Sequence, residues 1–171
     1  MVNPNEIVNR VAQSGIITLD LEELIPHKEI KSIDIKGQLF RGLILKEKDF
    51  RAWIKSNDWS KFKDDFVAVY CSSDAVVPTW AYMLIAAALE DFTTDVYFSE
   101  PKNVLGLAAE RHLSLLNVEE LTDKRVVIKG CGEREIDNHG YVKLTSMLTG
   151  KVKSLMFGEP CSTVPVYKNR K

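Results

Sequence analysis

Cysteine is scarce in this sequence and poorly placed for cross-links. Cys71, Cys131 and Cys161 are its three cysteines, 60 and 30 residues apart. An odd number cannot pair completely within one chain, and none belongs to a CxxC pair. A reducing compartment disfavours disulfides in any case, so the three read as thiols, thiolates or ligands. Long apolar runs are also missing. No stretch approaches the roughly 18 residues that span a bilayer, and the opening MVNPNEIVNRVAQSG lacks a basic segment followed by an apolar one. The expectation is a cytoplasmic protein with no membrane partner. Charge of one sign is not in excess: 23 basic side chains face 24 acidic ones, without a dense Lys/Arg block. That balance argues against nucleic acid and anionic membranes as partners. The P-loop, the dinucleotide-binding GxGxxG, HExxH and GxSxG are all missing, and with them the usual signatures of phosphate, zinc-protease and serine-hydrolase chemistry. Internal repeats, linkers and low-complexity segments are absent too.

What is present is enough apolar material, 45% of 171 residues, to close a single compact domain over residues 1–171 without staples. The chain is organised around FVAVYCSSDAVVPTWAYMLIAAAL, Phe66 to Leu89. Phe66 to Tyr70 is an unbroken run of strand length, rich in β-branched and aromatic residues, which suits a strand covered on both faces in a parallel sheet. Cys71 follows its carboxyl end. Ser72, Ser73 and Asp74 offer oxygens for a turn or cap, and Pro78 is tolerated only in a first helical turn, so a helix opens between Asp74 and Pro78. From Thr79 to Leu89 almost no polar face remains, which predicts a helix packed on most sides.

Before this unit, a short helix from Asn3 to Gln13 precedes Gly15, and short edge strands fall near 15–20 and 31–45, with a turn at Lys36 to Gln38. Residues 1–36 read as a peripheral segment. Asp20, Glu22 and Glu23 read as a solvated face beside an edge strand rather than as paired catalytic carboxylates. Lys46 to Asn57 carries Phe50, Trp53 and Ile54 on one helical stripe, with Glu47 four residues before Arg51, so an amphipathic helix is expected there. Trp53 and Trp59 are read as core or cover residues. After it come a brief strand at Asp95 to Phe98 and a helix from Pro101 with Val104, Leu105, Leu107, Ala108 and Leu113 inward. A buried strand follows at Arg125 to Lys129, ending in Gly130, Cys131 and Gly132, then a helix marked by Tyr141, Leu144, Met147 and Leu148 and stopped by Gly150. Val152 to Phe157 extends into a last strand, after which Gly158 to Cys161 turns into an extended basic tail, STVPVYKNRK.

Strands alternating with helices predict an α/β fold: a mostly parallel sheet with helices on both faces and short additional N-terminal edge strands. In such sheets ligands bind beyond the carboxyl ends of the strands, and all three cysteines fall at or just past such ends. Three readings are open. In the first, Cys71, Cys131 and Cys161 bind zinc, copper(I) or an iron-sulfur cluster, with a further ligand from Asp74, Glu133, Glu159, a histidine or outside the chain; His139 is the histidine nearest the edge, although an exposed loop position suits it better. Gly130 and Gly132 allow close backbone approach and a nest of N–H groups for an anion or a cluster sulfide, or else simply make a tight turn. In the second, Cys71 is an activated thiol of an enzyme, with Asp74 beside it, made a thiolate by the helix that follows. In the third, the cysteines are inert core thiols and the chain is an interaction protein, its tail docking a partner or building a homodimer by edge addition.

The segments FRGLILKEKDFRAWIKSNDWS, YCSSDAVVPTWAYML, KRVVIKGCGE and KSLMFGEPCSTVPVYK, spread over roughly Gly37 to Lys168, resemble a family of small bacterial proteins classed as a domain of unknown function. The resemblance carries no activity. It points to Cys71 with Asp74, to Cys131 with Gly130 and Gly132, and to Glu159 with Cys161, and leaves the first 36 residues unmatched. It also implies an association with SUF-type iron-sulfur assembly, and so assembly proteins as partners.

Overall fold

The structure, a computed structural model, describes residues 15–130, 132–134, 136–159 and 162–170. In chain order its elements are β1 (Ile16–Leu19), α1 (Leu21–Leu24), β2 (Ile30–Asp34), β3 (Leu39–Phe40), β4 (Ile44–Leu45), α2 (Glu47–Ser56) and β5 (Phe66–Tyr70). Then come α3 (Thr79–Ala88), β6 (Val96–Phe98), α4 (Val104–Leu113), β7 (Arg125–Ile128), α5 (Asn138–Leu148), β8 (Ser154–Glu159) and β9 (Ser162–Lys168), with 3-10 turns at Ile35–Gln38, Ser60–Phe62, Pro101–Asn103 and Val118–Leu121. The expected helix at residues 3–13 lies outside the described residues. The α/β class holds, in the form of two sheets rather than one, together with a small β3–β4 hairpin.

The chain divides into two compact units. One, His27–Ala108, is a continuous stretch holding a parallel sheet of order β2-β5-β6. β5 is buried on both faces, as its composition requires. Val67 and Val69 pack with Ile33, Phe50 and Ile85 on one side, and Phe66 and Ala68 pack with Tyr97, Val104 and Ala108 on the other. On α2 the expected stripe forms: Phe50 and Trp53 stack at 5.2 Å, Trp53 meets Trp59 edge-on at 5.3 Å, and the Trp59 indole N–H donates to Ile54 O. Glu47 and Arg51 pair at 2.8 Å.

Helix α3 departs from expectation. It begins at Thr79, with Pro78 as its cap, and buries only Ala81, Ile85 and then Leu89, while Met83 is 65% exposed. An apolar composition does not enclose a helix; only the stripe at four-residue spacing meets the sheet. Leu105 and Leu107 of α4, expected inward, are exposed for the same reason, since the sheet takes Val104 and Ala108.

The other unit runs through Pro26 and resumes at Ala109, the second dividing point falling inside α4. Its sheet has the order β1-β7-β8-β9, parallel except for the antiparallel β8–β9 pair. Leu21, Leu113, Val126, Ile128, Leu144, Leu148 and Leu155 form its core. Residues 16–36 are therefore structural in both units, since Leu21 and Ile35 are almost fully buried. The tail is not a free extension. Ser162 to Lys168 returns along β8 with Glu159 opposite Ser162, and Pro165 lies opposite Met156 beside a register shift, on the edge strand, where a missing N–H is tolerated.

Candidate functional site

The carboxyl ends of the strands in each unit carry polar clusters. In the His27–Ala108 unit, Cys71 follows β5 directly. It is half-buried, packs against the core, and its thiol reaches Ser73 O at 3.7 Å. Beside it, Asp34 at the end of β2 accepts three hydrogen bonds: from the Ser72 hydroxyl at 2.6 Å, the Ser72 N–H at 3.0 Å and the Lys36 N–H at 2.9 Å. Desolvation opposes the Asp34 charge, and these donors outweigh it, leaving the carboxyl below its ordinary pKa. Tyr82 of α3 packs edge-on against Phe98, and burial, with the Cys71 thiol nearby, raises its hydroxyl pKa.

The helix expected to open between Asp74 and Pro78, on which the activated-thiol reading of Cys71 draws, begins at Thr79. Asp74, the partner proposed for Cys71, sits in an exposed bend.

The second cluster lies at the carboxyl ends of β1, β7 and β8. Register places Leu19 opposite Ile128, so the next residues, Asp20 and Lys129, face each other and pair at 2.5 Å. The hydrogen bond from Lys129, opposed by desolvation and helped by the Glu22 N–H, holds Asp20 below the ordinary carboxylate pKa. Lys129 is raised in turn, chiefly by Asp20, with Glu22 and Glu159 contributing. Asp20 also caps α1, whose first turn carries Glu22 and Glu23. The expectation of a solvated acidic face is thus corrected for Asp20 and Glu22. Both are half-buried, and the Glu22 carboxylate accepts the Arg134 N–H.

The two glycines expected to allow close approach do so. A Cβ on Gly130 would lie 2.8 Å from the Phe157 ring and 3.2 Å from Gly158 Cα, and a Cβ on Gly132 would overlap the Glu22 carboxylate. At the end of β8, Glu159 is half-buried, and its Oε1 is shut off from solvent with no hydrogen-bond partner among the described residues. Gly130, Gly132 and Glu159 therefore stand at one edge of one sheet. Cys131 and Cys161 lie outside the described residues, while Cys71 belongs to the other unit. Among the described residues no group of three or more His, Cys, Asp or Glu is placed to hold a metal ion. Glu133 is exposed, and His139 is 79% exposed in the first turn of α5 rather than in a loop, bonded through Nδ1 to Asp137 at 2.7 Å.

Sequence reasoning missed the Asp20–Lys129 pair. Its signal was present: oppositely charged residues directly follow two apolar strands, and only the pairing of those strands was unknown.

Residues 5–169 match the family described as a protein of unknown function, DUF2480. The match includes most of the first 36 residues, which the four resembling segments had left aside. No curated protein matches the chain, and no solved structure does. No helix among the described residues is long and apolar enough to cross a membrane.

Proposed function

From the chain's membership of the DUF2480 family, whose function is unknown, we propose that it is a non-catalytic accessory protein binding a soft metal ion or iron-sulfur cluster at the carboxyl edge of its four-stranded sheet. The thiolates of Cys131 and Cys161 and the carboxylate of Glu159 supply the ligands. One observation carries this reading: Glu159 Oε1 is buried without a hydrogen-bond partner among the described residues, two positions before Cys161 in the sequence. A buried acceptor left unmade costs about 1–3 kcal/mol, and a coordinated metal ion removes that deficit. The close approach of Gly130 to Gly158 adds to it, because it brings the chain beside Cys131 against the strand that leads to Cys161. Two thiolates and a carboxylate carry three negative charges, which a bound metal cation offsets; Lys129, paired with Asp20, feels Glu159 as well. The donor set is soft enough for zinc or iron-sulfur chemistry, which such a group would supply as stored metal or electrons when bound. A fourth ligand from a recipient suits an assembly or transfer role, with iron-sulfur assembly proteins as the partner class. Such free thiolates belong in a reducing compartment, the cytoplasm.

Purification under nitrogen without chelators, followed by elemental analysis and absorption spectroscopy, tests the reading. About one zinc or one cluster per chain is expected, lost on Cys131→Ser or Cys161→Ser. Retention by Cys71→Ser separates two thiolates with Glu159 from a set of three thiolates. Metal well below stoichiometry in every preparation, with no uptake after reconstitution, overturns the reading.

A further inference from the structure

The β3–β4 hairpin turns toward water the kind of face that a protein usually hides. Its strand residues alternate, so the Leu39–Leu45 pair enters the core and the Phe40–Ile44 pair points outward. Outward positions on a solvated hairpin normally carry polar side chains. Here they are aromatic and β-branched: Phe40 is 43% exposed, Ile44 is 60% exposed, and Leu43 beside the turn is 64% exposed. From Ile35 to Lys46 the chain also carries Lys36, Arg41 and Lys46 and no acid. Two of these cations frame the apolar surface. The Lys46 ammonium lies 3.5 Å from the Phe40 ring centroid and the Arg41 guanidinium 5.3 Å from it, and neither pairs with a carboxylate among the described residues.

Arg41 takes a left-handed backbone, with φ 52°, ahead of Gly42 with φ 72°. Glycine or asparagine adopts that conformation readily, whereas arginine is strained in it. The turn alone therefore does not call for arginine, whose exposed side chain stands beside the apolar patch. Ser73 fixes the turn, donating its hydroxyl to Gly42 O at 3.0 Å, so the surface is preformed. Exposed apolar surface rimmed by charge marks an interaction site, and interface centres gather aromatic residues and arginine. The sign of the rim selects the occupant. A second copy of the hairpin would set Arg41 and Lys46 against like charges. An anionic membrane would meet Glu47 and Asp49, exposed in the first turn of α2 directly after Lys46. A short acidic segment can reach the two cations without covering those carboxylates.

We propose that the outer face of the β3–β4 hairpin docks an extended segment of a partner protein in which apolar side chains alternate with carboxylates. The apolar groups cover Phe40, Leu43 and Ile44, and the carboxylates pair with Arg41 and Lys46. This surface belongs to the His27–Ala108 unit and is independent of the metal reading.

The test titrates the full chain, labelled with nitrogen-15, with a short synthetic peptide alternating Glu with Leu and Phe, and follows the amide shifts. Its twin with Gln for every Glu and phosphatidylserine vesicles are run beside it. The acidic peptide is expected to shift the amides from Leu39 to Lys46, more weakly as salt rises. Arg41→Gly combined with Lys46→Gln is expected to melt at the parent's temperature or above, since glycine relieves position 41. It should still weaken the peptide about 2–30-fold, the range of two exposed ion pairs. Were that variant not to fold, Leu43→Ser, which lies outside the core, should weaken the peptide as well, and unchanged binding would overturn the proposal. An absence of hairpin shifts, or equal binding of the Gln twin, overturns it too. Vesicle binding through these residues without peptide binding replaces the protein segment by a membrane and equally overturns it.

Discussion

Replacing Gly130 by alanine adds one methyl group at the edge where β7 leaves the sheet. The new Cβ would stand 2.8 and 3.1 Å from two atoms of the Phe157 ring and 3.2 Å from Gly158 Cα, all inside the ordinary contact of roughly 3.5–4.0 Å between carbon atoms. The ring can give way, since Phe157 is 38% exposed and meets Tyr141 in an edge contact at 5.6 Å. The Gly158 backbone cannot move as easily, because it is paired with Thr163 of β9 and the preceding Phe157 is paired with both β7 and β9. Overpacking of this kind costs about 1–3 kcal/mol, which for a chain of this length lowers Tm by roughly 2–12 °C. Urea unfolding followed by far-UV circular dichroism measures it. Gly37→Ala is the control: no atom lies within 4 Å of its added Cβ, so it should be neutral or stabilise by about 0.4–1 kcal/mol through the unfolded chain. Introducing Gly130→Ala into a Phe157→Leu background should recover the part due to the ring and leave the part due to Gly158. Equal stabilities for Gly130→Ala and Gly37→Ala would refute the claim that glycine is needed at 130 for close approach.

Two further outcomes follow from buried charge. Asp95 is 2% exposed, with Lys28 at 2.7 Å and the Tyr97 hydroxyl at 2.8 Å as partners. Lys28→Met should therefore destabilise the protein by about 3 kcal/mol, since it removes the counter-charge of a buried carboxylate; urea titration followed by tryptophan fluorescence reads it, and less than a third of that would show that Tyr97 and its neighbours suffice. For pH, Asp20, Asp34 and Asp137 are all held below the ordinary carboxylate value by hydrogen bonds. A depressed folded pKa gives stability that is present above the unfolded value, about 3.9, and lost as pH falls through the lower folded values. Thermal melts between pH 6 and 2.5 should stay nearly flat until about pH 4 and then fall steeply, less steeply in Asp20→Asn.

The sequence made β5 legible to the residue, because an unbroken buried run has one structural solution, and α2 and the α/β class followed from their periodicities. The burial of α3 was misread for a definite reason: Met83, Ala86 and Ala87 are apolar yet lie away from the sheet, and composition does not say which face a single-layer neighbour covers. The tail read only as extended, and the structure makes it an edge strand whose position beside a register shift accommodates Pro165. At the candidate site, Gly130, Gly132 and Glu159 were visible as punctuation at strand ends. Asp20 and Glu22 were not, because their meaning depends on β1 lying beside β7, a pairing that nothing local in the sequence encodes.

That pairing also has a consequence in time. The His27–Ala108 unit is complete once its own contiguous stretch has been made, whereas β1 must wait for a partner whose matching residue, Lys129 for Asp20, is 109 residues downstream. At roughly 5–20 residues per second of synthesis the delay is about 5–20 s. During that interval Ile16 to Leu19 is an apolar strand with an open edge on a chain still tethered to the ribosome. A nascent-chain series arrested before and after Ile128 should locate the moment of closure, and a chaperone that binds short apolar strands should find its target in the early members of the series rather than the late ones.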